Sequence, residues 1–300
     1  MARLETMEIF VAVAEEQSFA GGARRLNLSA PAVTRAVAAL EERLGVKLLT
    51  RTTRYVRLTD AGQRYLEDAR RIIQEANEAD EMAAGINAEP RGHLAVTAPV
   101  LFGRMFVMPG IVEYLQRFQT MEVSAIFLDR IVNMLEEGID VGIRIGELPD
   151  SSMRAIRVGQ VRQVLCASPT YLAARGTPQT PADLNHHSLI VSAAGSWSAI
   201  EWKFLDGDKI MTHKIKPRLS VTGNDAAIAA AIQGLGITRV LSYQVAPFLA
   251  SGQVQTVLSE YEPKPLPIHV LHREGRHASA KVRTFVDLMV ERLREDRVLN

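Results

Sequence analysis

The sequence predicts a mixed α/β protein, in which a short helical and basic front is joined by one long helix to a larger body of alternating strands and helices. Three observations carry this. Residues 18–62, SFAGGARRLNLSAPAVTRAVAALEERLGVKLLTRTTRYVRLTDAG, read as helix, tight turn, helix and basic hairpin. Residues 59–87 contain no proline, and their glycines, Gly62 and Gly85, lie near the ends. After Gly92, apolar runs of strand length alternate with amphipathic segments.

The bulk properties bound the class. At 300 residues the chain has room for two or three domains, and 47% apolar with 23% charged residues is ordinary for a globular protein. No run approaches the roughly 18 apolar residues of a membrane span, and Met1-Ala2-Arg3-Leu4-Glu5 leads straight into an amphipathic pattern, so no leader is expected. The lone Cys166 excludes an internal disulfide framework and fits a reducing cytoplasm. Its flanks, Val164-Leu165 and Ala167, predict a buried strand thiol. The net charge is only +1, yet residues 21–64 hold nine basic residues against three acidic ones. Such a local surplus is either a solvated basic face or the footprint of a nucleic-acid site.

The first helix is expected over 4–16, with Leu4, Met7, Phe10, Val11 and Ala14 on one face. Ser18 is placed to cap a helix over about 19–26. Asn27 tolerates the left-handed backbone of a tight turn. Ser29 caps the third helix, and Pro31 is tolerated in its first turn because that N–H has no intrahelical partner. Val33, Val37 and Leu40 face inward; Ala30, Ala32, Thr34 and Arg35 lie on or beside the outer face. Small residues there let the helix approach base edges, Thr34 can meet a base or phosphate, and Arg35 can reach guanine or a phosphate oxygen. For Ala30 and Pro31, plain helix initiation is an equal reading. Gly45 ends the helix. Leu48–Leu49 and Val56–Leu58 then flank Arg51-Thr52-Thr53-Arg54, a hairpin tip suited to phosphate or the minor groove. Thr59 caps the next helix.

These motifs resemble the winged helix-turn-helix of the LysR-type transcriptional regulators, and the resemblance extends over nearly the whole chain. It implies a DNA reader at 1–59 whose recognition helix starts at Ser29, with Ala30, Pro31, Thr34 and Arg35 at the groove. It puts Arg54 on the wing, with Arg51 and Thr53 beside it. Two departures stand out. Family members usually have alanine where Gly21 and Gly22 stand, and each glycine costs a helix roughly 1 kcal/mol, so Gly22→Ala is expected to raise thermal stability. The family's usual glutamine is Ala30 here, which removes an amide able to read adenine and shifts weight to DNA shape.

The helix expected over about 59–87 carries Leu66, Ala69, Ile73, Ala76, Ala83 and Ile86 as one stripe, and needs a packing partner. The resemblance implies antiparallel pairing of residues 60–88 with a second subunit; packing on the chain's own body is the other reading. A two-fold reader implies double-stranded DNA with an inverted-repeat operator, and the family implies a homodimer that builds a homotetramer. Glu89-Pro90-Arg91-Gly92 breaks the helix.

In the body, strands are expected at 93–98, 123–127, 141–145, 163–167, 237–241 and 268–272. Helices are expected at about 102–118 with an interruption near Pro109, and at about 130–137, 169–174, 224–233, 243–251 and 278–295. Such alternation predicts parallel sheets covered on both faces. The resemblance implies a periplasmic-binding-protein-like pair of Rossmann-like subdomains, the first from 91–161 with 266–300, the second from 162–265. Ligands of open α/β sheets bind at strand carboxyl ends and helix starts. Three such corners are legible: Thr97, Pro99, Val100 and Leu101; Arg144 and Gly146; Thr222 and Asn224. In the family they face the cleft of a small effector, which is more apolar here or is held by Asn224 and backbone N–H groups, since Val100 and Leu101 replace the usual first-loop hydroxyl and Thr97 is the nearest one. Loop capping is the alternative role at each corner.

Other signals carry little. His269 and His272 point to opposite faces of a strand, so with His277 they form no zinc site. Gly234-Leu235-Gly236 lacks the setting of a dinucleotide loop, and no nucleophile elbow or phosphate loop occurs, so no cofactor is expected. Trp197 and Trp202 are expected in the core. The reading is a regulator; an enzyme with an appended DNA reader, or a constitutive DNA binder, are its rivals.

Overall fold

A computed structural model describes residues 2–51, 56–84, 89–148, 153–192, 200–273 and 278–299, with the backbone alone for residues 51, 74, 75, 77, 78 and 81–84. The chain divides into two compact units, Met1–Ala88 and Glu89–Asn300.

In the first unit, α1 (Arg3–Glu15) buries Ile9, Phe10 and Val13. The Ser18 hydroxyl accepts from the Gly21 N–H at 3.1 Å and starts α2 (Phe19–Arg25). Asn27 takes a left-handed φ of +51° in the turn. Ser29 then caps α3 (Ala30–Leu44), accepting from the Ala32 N–H at 3.4 Å, with Pro31 in the first turn. Gly45, at φ +67°, stops it. Strands β1 (Leu49–Arg51) and β2 (Val56–Leu58) pair antiparallel with Leu49 opposite Leu58. The Thr59 hydroxyl accepts from the Gly62 N–H at 2.9 Å and opens α4 (Asp60–Ala84). Its 25 residues span about 38 Å. Residues 85–88, which the sequence reading put partly in this helix, lie outside the described residues.

The glycine pair in α2 corrects one expectation. A Cβ at Gly22 would meet Val13 Cγ2 at 2.9 Å and the Val13 backbone N at 3.0 Å, because α2 crosses α1 at that point. The helix gain of about 1 kcal/mol is then set against overpacking of about 1–3 kcal/mol. Gly22→Ala is therefore expected to lower the melting temperature by several degrees in scanning calorimetry. A rise would show that α1 yields freely.

The second unit holds two five-stranded sheets. The chain runs through β3 (Gly92–Ala98), α5 (Val100–Phe102), a π turn (Gly103–Val107), α6 (Met108–Arg117), β4 (Met121–Phe127), β5 (Val141–Ile145) and β6 (Arg154–Val161). It then crosses into the second sheet with β7 (Gln163–Ala167), α7 (Pro169–Arg175) and β8 (Leu189–Ser192). A hairpin, β9 (Ile200–Asp206) and β10 (Lys209–Ile215), leads to β11 (Leu219–Val221), α8 (Asn224–Ile232), β12 (Ile237–Leu241), α9 (Ser242–Ala250) and β13 (Gln255–Val257). Finally β14 (Leu266–His272) returns to the first sheet, and α10 (Ala280–Glu295) covers it. The strand orders are β4-β3-β5-β14-β6 and β11-β8-β12-β7-β13.

Three expectations change here. The sheets are mixed, because β14 pairs antiparallel with β5 and β6, and β7 antiparallel with β12 and β13. Strands that arrive from the other sheet are free of the crossover that joins parallel neighbours, so they can run antiparallel. The helix after β3 starts at Val100, and its irregularity precedes Pro109: the Met108 N–H reaches back five residues to the Gly103 carbonyl. Residues 130–133 are irregular and 134–138 form a turn, so no helix stands at 130–137. The Asn133 carboxamide oxygen accepts from the Leu135 N–H at 3.2 Å, a local bond that competes with helical pairing.

One apolar core links the two sheets. Phe102 and Phe106 of the first lie edge-on or near it to Tyr243 of the second, with ring centroids 5.4 and 5.6 Å apart. Cys166 is buried in β7, and burial pushes its thiol up to about 12, which leaves it without thiolate character. Trp202 is buried beneath the Arg239 guanidinium, while Trp197 and His277 lie outside the described residues.

Candidate functional site

Two surfaces gather the residues picked out by sequence. The first is the outer face of α3. Val33, Val37 and Leu40 are fully buried against α1, so the helix turns Ser29, Ala30, Pro31 and Arg35 to solvent, with Thr34 half-buried beside them. Among the described residues Arg35 has no ion pair, which leaves all five guanidinium donors free. Other basic residues are engaged internally. The Glu15 carboxylate joins Arg25 of α2 and Arg70 of α4, the latter at 2.6 Å. This tie joins α2 and α4 to the last residue of α1.

A second carboxylate fixes the hairpin. Glu41 on α3 is buried, and its Oε1 accepts from the Leu48 and Leu49 N–H groups at 3.0 and 3.1 Å while Lys47 Nζ donates to Oε2 at 2.7 Å. Burial raises the carboxyl pKa, but Lys47 and the two amides outweigh it and hold the group below the usual carboxylate range. Sequence reading entered Glu41 only in the charge balance of residues 21–64; the signal for its burial was its place four residues after Val37 on the buried stripe. Arg51 is the last residue of β1, with its side chain outside the described residues; Thr53 and Arg54 lie outside them altogether.

The second surface is a cleft in the α/β unit, a cavity of about 330 Å³ where the carboxyl ends of β3 and β4 face the start of α8. Val100, Leu101, Thr222 and Asn224 line it, as do Leu128, Asp129, Arg130, Gly223 and Asp225. A larger hollow of about 400 Å³ lies along residues 157–160 and Arg294. It sits against the edge strand β6, away from any convergence of strand ends and helix starts, so the smaller cavity is the better ligand site.

The structure does not bring all of the sequence candidates to this cavity. Thr97 is fully buried and its hydroxyl donates to the Ile126 carbonyl at 2.8 Å, tying β3 to β4. Arg144 donates to the Val132 carbonyl at 3.1 Å and braces the turns after β4. Gly146 makes a turn at φ +121°, and Pro99 precedes the first turn of α5. None of these four lines the cavity. Gly223 and Asp225 belong to the corner that opens α8; the residues that sequence reading missed, Leu128, Asp129 and Arg130, follow β4. The carboxyl end of β4 was a fourth legible corner.

Residues 4–63 match the bacterial regulatory helix-turn-helix protein family model of the lysR family, and residues 87–294 match the LysR substrate binding domain. The chain is a LysR-type transcriptional regulator. The regulator is 32% identical to a transcriptional repressor of Pseudomonas aeruginosa over 99% of this chain and 94% of the relative. It is 31% identical to the transcriptional regulator CrgA of Neisseria meningitidis over 96% of both chains. The solved structure of CrgA superposes with a TM-score of 0.61 at 30% identity, covering 98% of the regulator and 99% of CrgA. Full-length AphB, a Vibrio cholerae virulence activator, gives 0.62 at 24% identity over 97% and 99%, a likeness of fold. The regulator thus combines a helix-turn-helix DNA-binding unit with an effector-binding α/β unit, and no helix among its described residues is long and apolar enough to cross a membrane.

Proposed function

We propose that the regulator binds an inverted-repeat operator in the cytoplasm as a homodimer joined through α4, and that two dimers form a tetramer. Residues 1–59 act as the reader, 60–88 as the dimerising linker, and 91–161 with 266–300 and 162–265 as the two effector subdomains. Ser29, Ala30, Pro31, Thr34 and Arg35 enter the major groove; Arg51, Thr53 and Arg54 of the wing contact the backbone or minor groove. A small molecule in the cleft, against Val100, Leu101, Thr222 and Asn224, shifts the balance between quaternary states and so changes the bend or spacing of bound DNA.

The exposed α3 face with its free Arg35 is the observation that carries this reading. The dimer is supported by α4 itself. Leu66 and Ala69 pack into the chain's own unit, whereas Ile72 remains 38% exposed one turn further on. Beyond Ala69 no described side chain of α4 is buried, and a long helix with so little packing of its own gains stability from a partner.

DNase footprinting on the regulator's own promoter region, with and without small metabolites, tests the proposal. A protected palindromic segment that changes on ligand addition is the expected result. Arg35→Ala is expected to weaken operator binding about 10- to 100-fold, the ~1–3 kcal/mol of a base or phosphate contact, while sedimentation shows the same oligomer. Unchanged affinity would remove Arg35 from the interface.

A further inference from the structure

We propose that the cleft takes a cationic amine with an apolar body rather than a carboxylate, an inference that rests on the effector reading above. The cavity defines the site; its own acids set its sign. Anions bind helix starts because free N–H groups and the helix dipole face them. Here both helix starts at the cavity already hold a carboxylate of the chain. Asp129 accepts the Val100 N–H at 3.0 Å at the head of the helical run that begins with α5. Asp225 accepts the Ala226 N–H at 2.8 Å in the first turn of α8.

Among the described lining residues Arg130 is the one cation, and its charge is already paired. Arg130 is held in a two-pronged pair by Glu137, with both N···O distances 2.9 Å. An entering carboxylate would meet a carboxylate of the chain at either helix start, and at Arg130 it would share one exposed guanidinium with Glu137. A protonated amine meets two exposed acceptors without displacing anything, since each carboxylate oxygen accepts more than one bond. Val100, Leu101 and Leu128 supply an apolar wall, and about 330 Å³ lies at the small end of ligand cavities. The geometry therefore selects a small ligand with an ammonium head and a hydrocarbon or aryl body.

The test uses the full-length protein and probes of matched shape: hexylamine, hexanoate and hexan-1-ol, then 2-phenylethylamine against 3-phenylpropanoate. Binding is measured by calorimetry at pH 7 and fixed ionic strength. Each amine is expected to bind at least 10-fold tighter than its carboxylate partner. The double substitution Asp129→Asn with Asp225→Asn is expected to abolish that preference while hexan-1-ol binds as before, which shows the cleft intact. Equal or tighter carboxylate binding, no binding by either amine, or a preference that survives the double substitution would overturn the inference. Footprinting separates the two levels. A protein that protects DNA but prefers carboxylates refutes only the ligand class, whereas one that protects no fragment refutes the regulatory reading whatever the cleft binds.

Discussion

Glu41→Ala is expected to cost the helical unit about 3 kcal/mol, because it strands two buried amides. The Leu48 and Leu49 N–H groups both point at Oε1, and each unsatisfied buried donor costs roughly 1–3 kcal/mol. The Lys47 pair contributes little by comparison, since that lysine is 75% exposed and exposed pairs are worth about 0–1 kcal/mol. Glu41→Gln separates the two effects: its amide oxygen still serves both donors, so the loss should stay near 1 kcal/mol or less. Chemical denaturation of the three proteins measures this, and equal losses for the two variants would refute the assignment. The wing is anchored through the same two amides, so Glu41→Ala should also weaken operator binding. The acid limb carries a further check. The folded-state carboxyl lies below its ordinary value of 4.5, so its stabilisation is complete above that pH and is lost as pH falls through the lowered value. The glutamine variant should show a shallower loss of stability below about pH 4.5.

Gly62→Ala is expected to be at least as damaging, and for a different reason. The first turn of α4 lies directly on the wing, and a Cβ at Gly62 would overlap the Leu48 carbonyl oxygen. That oxygen also accepts from the Thr59 N–H at 2.9 Å, so it cannot move without opening the helix cap. A backbone collision of this kind is expected to cost about 3 kcal/mol or more. Gly45→Ala is the comparison. Gly45 has open space around its Cβ position but a φ of +67°, which costs a non-glycine residue about 1–2 kcal/mol. The melting temperature should therefore fall further for Gly62→Ala than for Gly45→Ala. The reverse order would mean that α4 and the wing separate easily.

The legible parts of the fold are those governed by neighbours in the chain. Ser18, Ser29 and Thr59 each cap the helix that follows, and Asn27 and Gly45 each take the left-handed backbone their turns require. Six strands and most helices of the body follow from runs of apolar residues. The elements left out were short or peripheral. Three-residue β11 and β13 carry too few residues for alternation to register. The hairpin of β9 and β10 did leave a signal, Gly207-Asp208 between two alternating runs, which a search for βαβ units passes over. The cleft was half legible. Val100, Leu101, Thr222 and Asn224 line it, but Thr97 and Arg144 spend their polar groups on backbone carbonyls of the chain.

The amino-acid order alone determined the helix-turn-helix, its caps and stops, the exposed row on α3 and the strand-and-helix alternation of the body, because each depends on hydrogen bonds and periodicities within a few residues. The family resemblance already returned residues 266–300 to the first subdomain; only the tertiary structure decided that β14 runs antiparallel there. The same holds for the clearance that forbids a methyl group at Gly22 and Gly62, the inward turn of Glu41, and the capping of Val100 by Asp129 from 29 positions away. These features depend on which distant atoms come within van der Waals or hydrogen-bond reach, and no pattern along the chain encodes that distance.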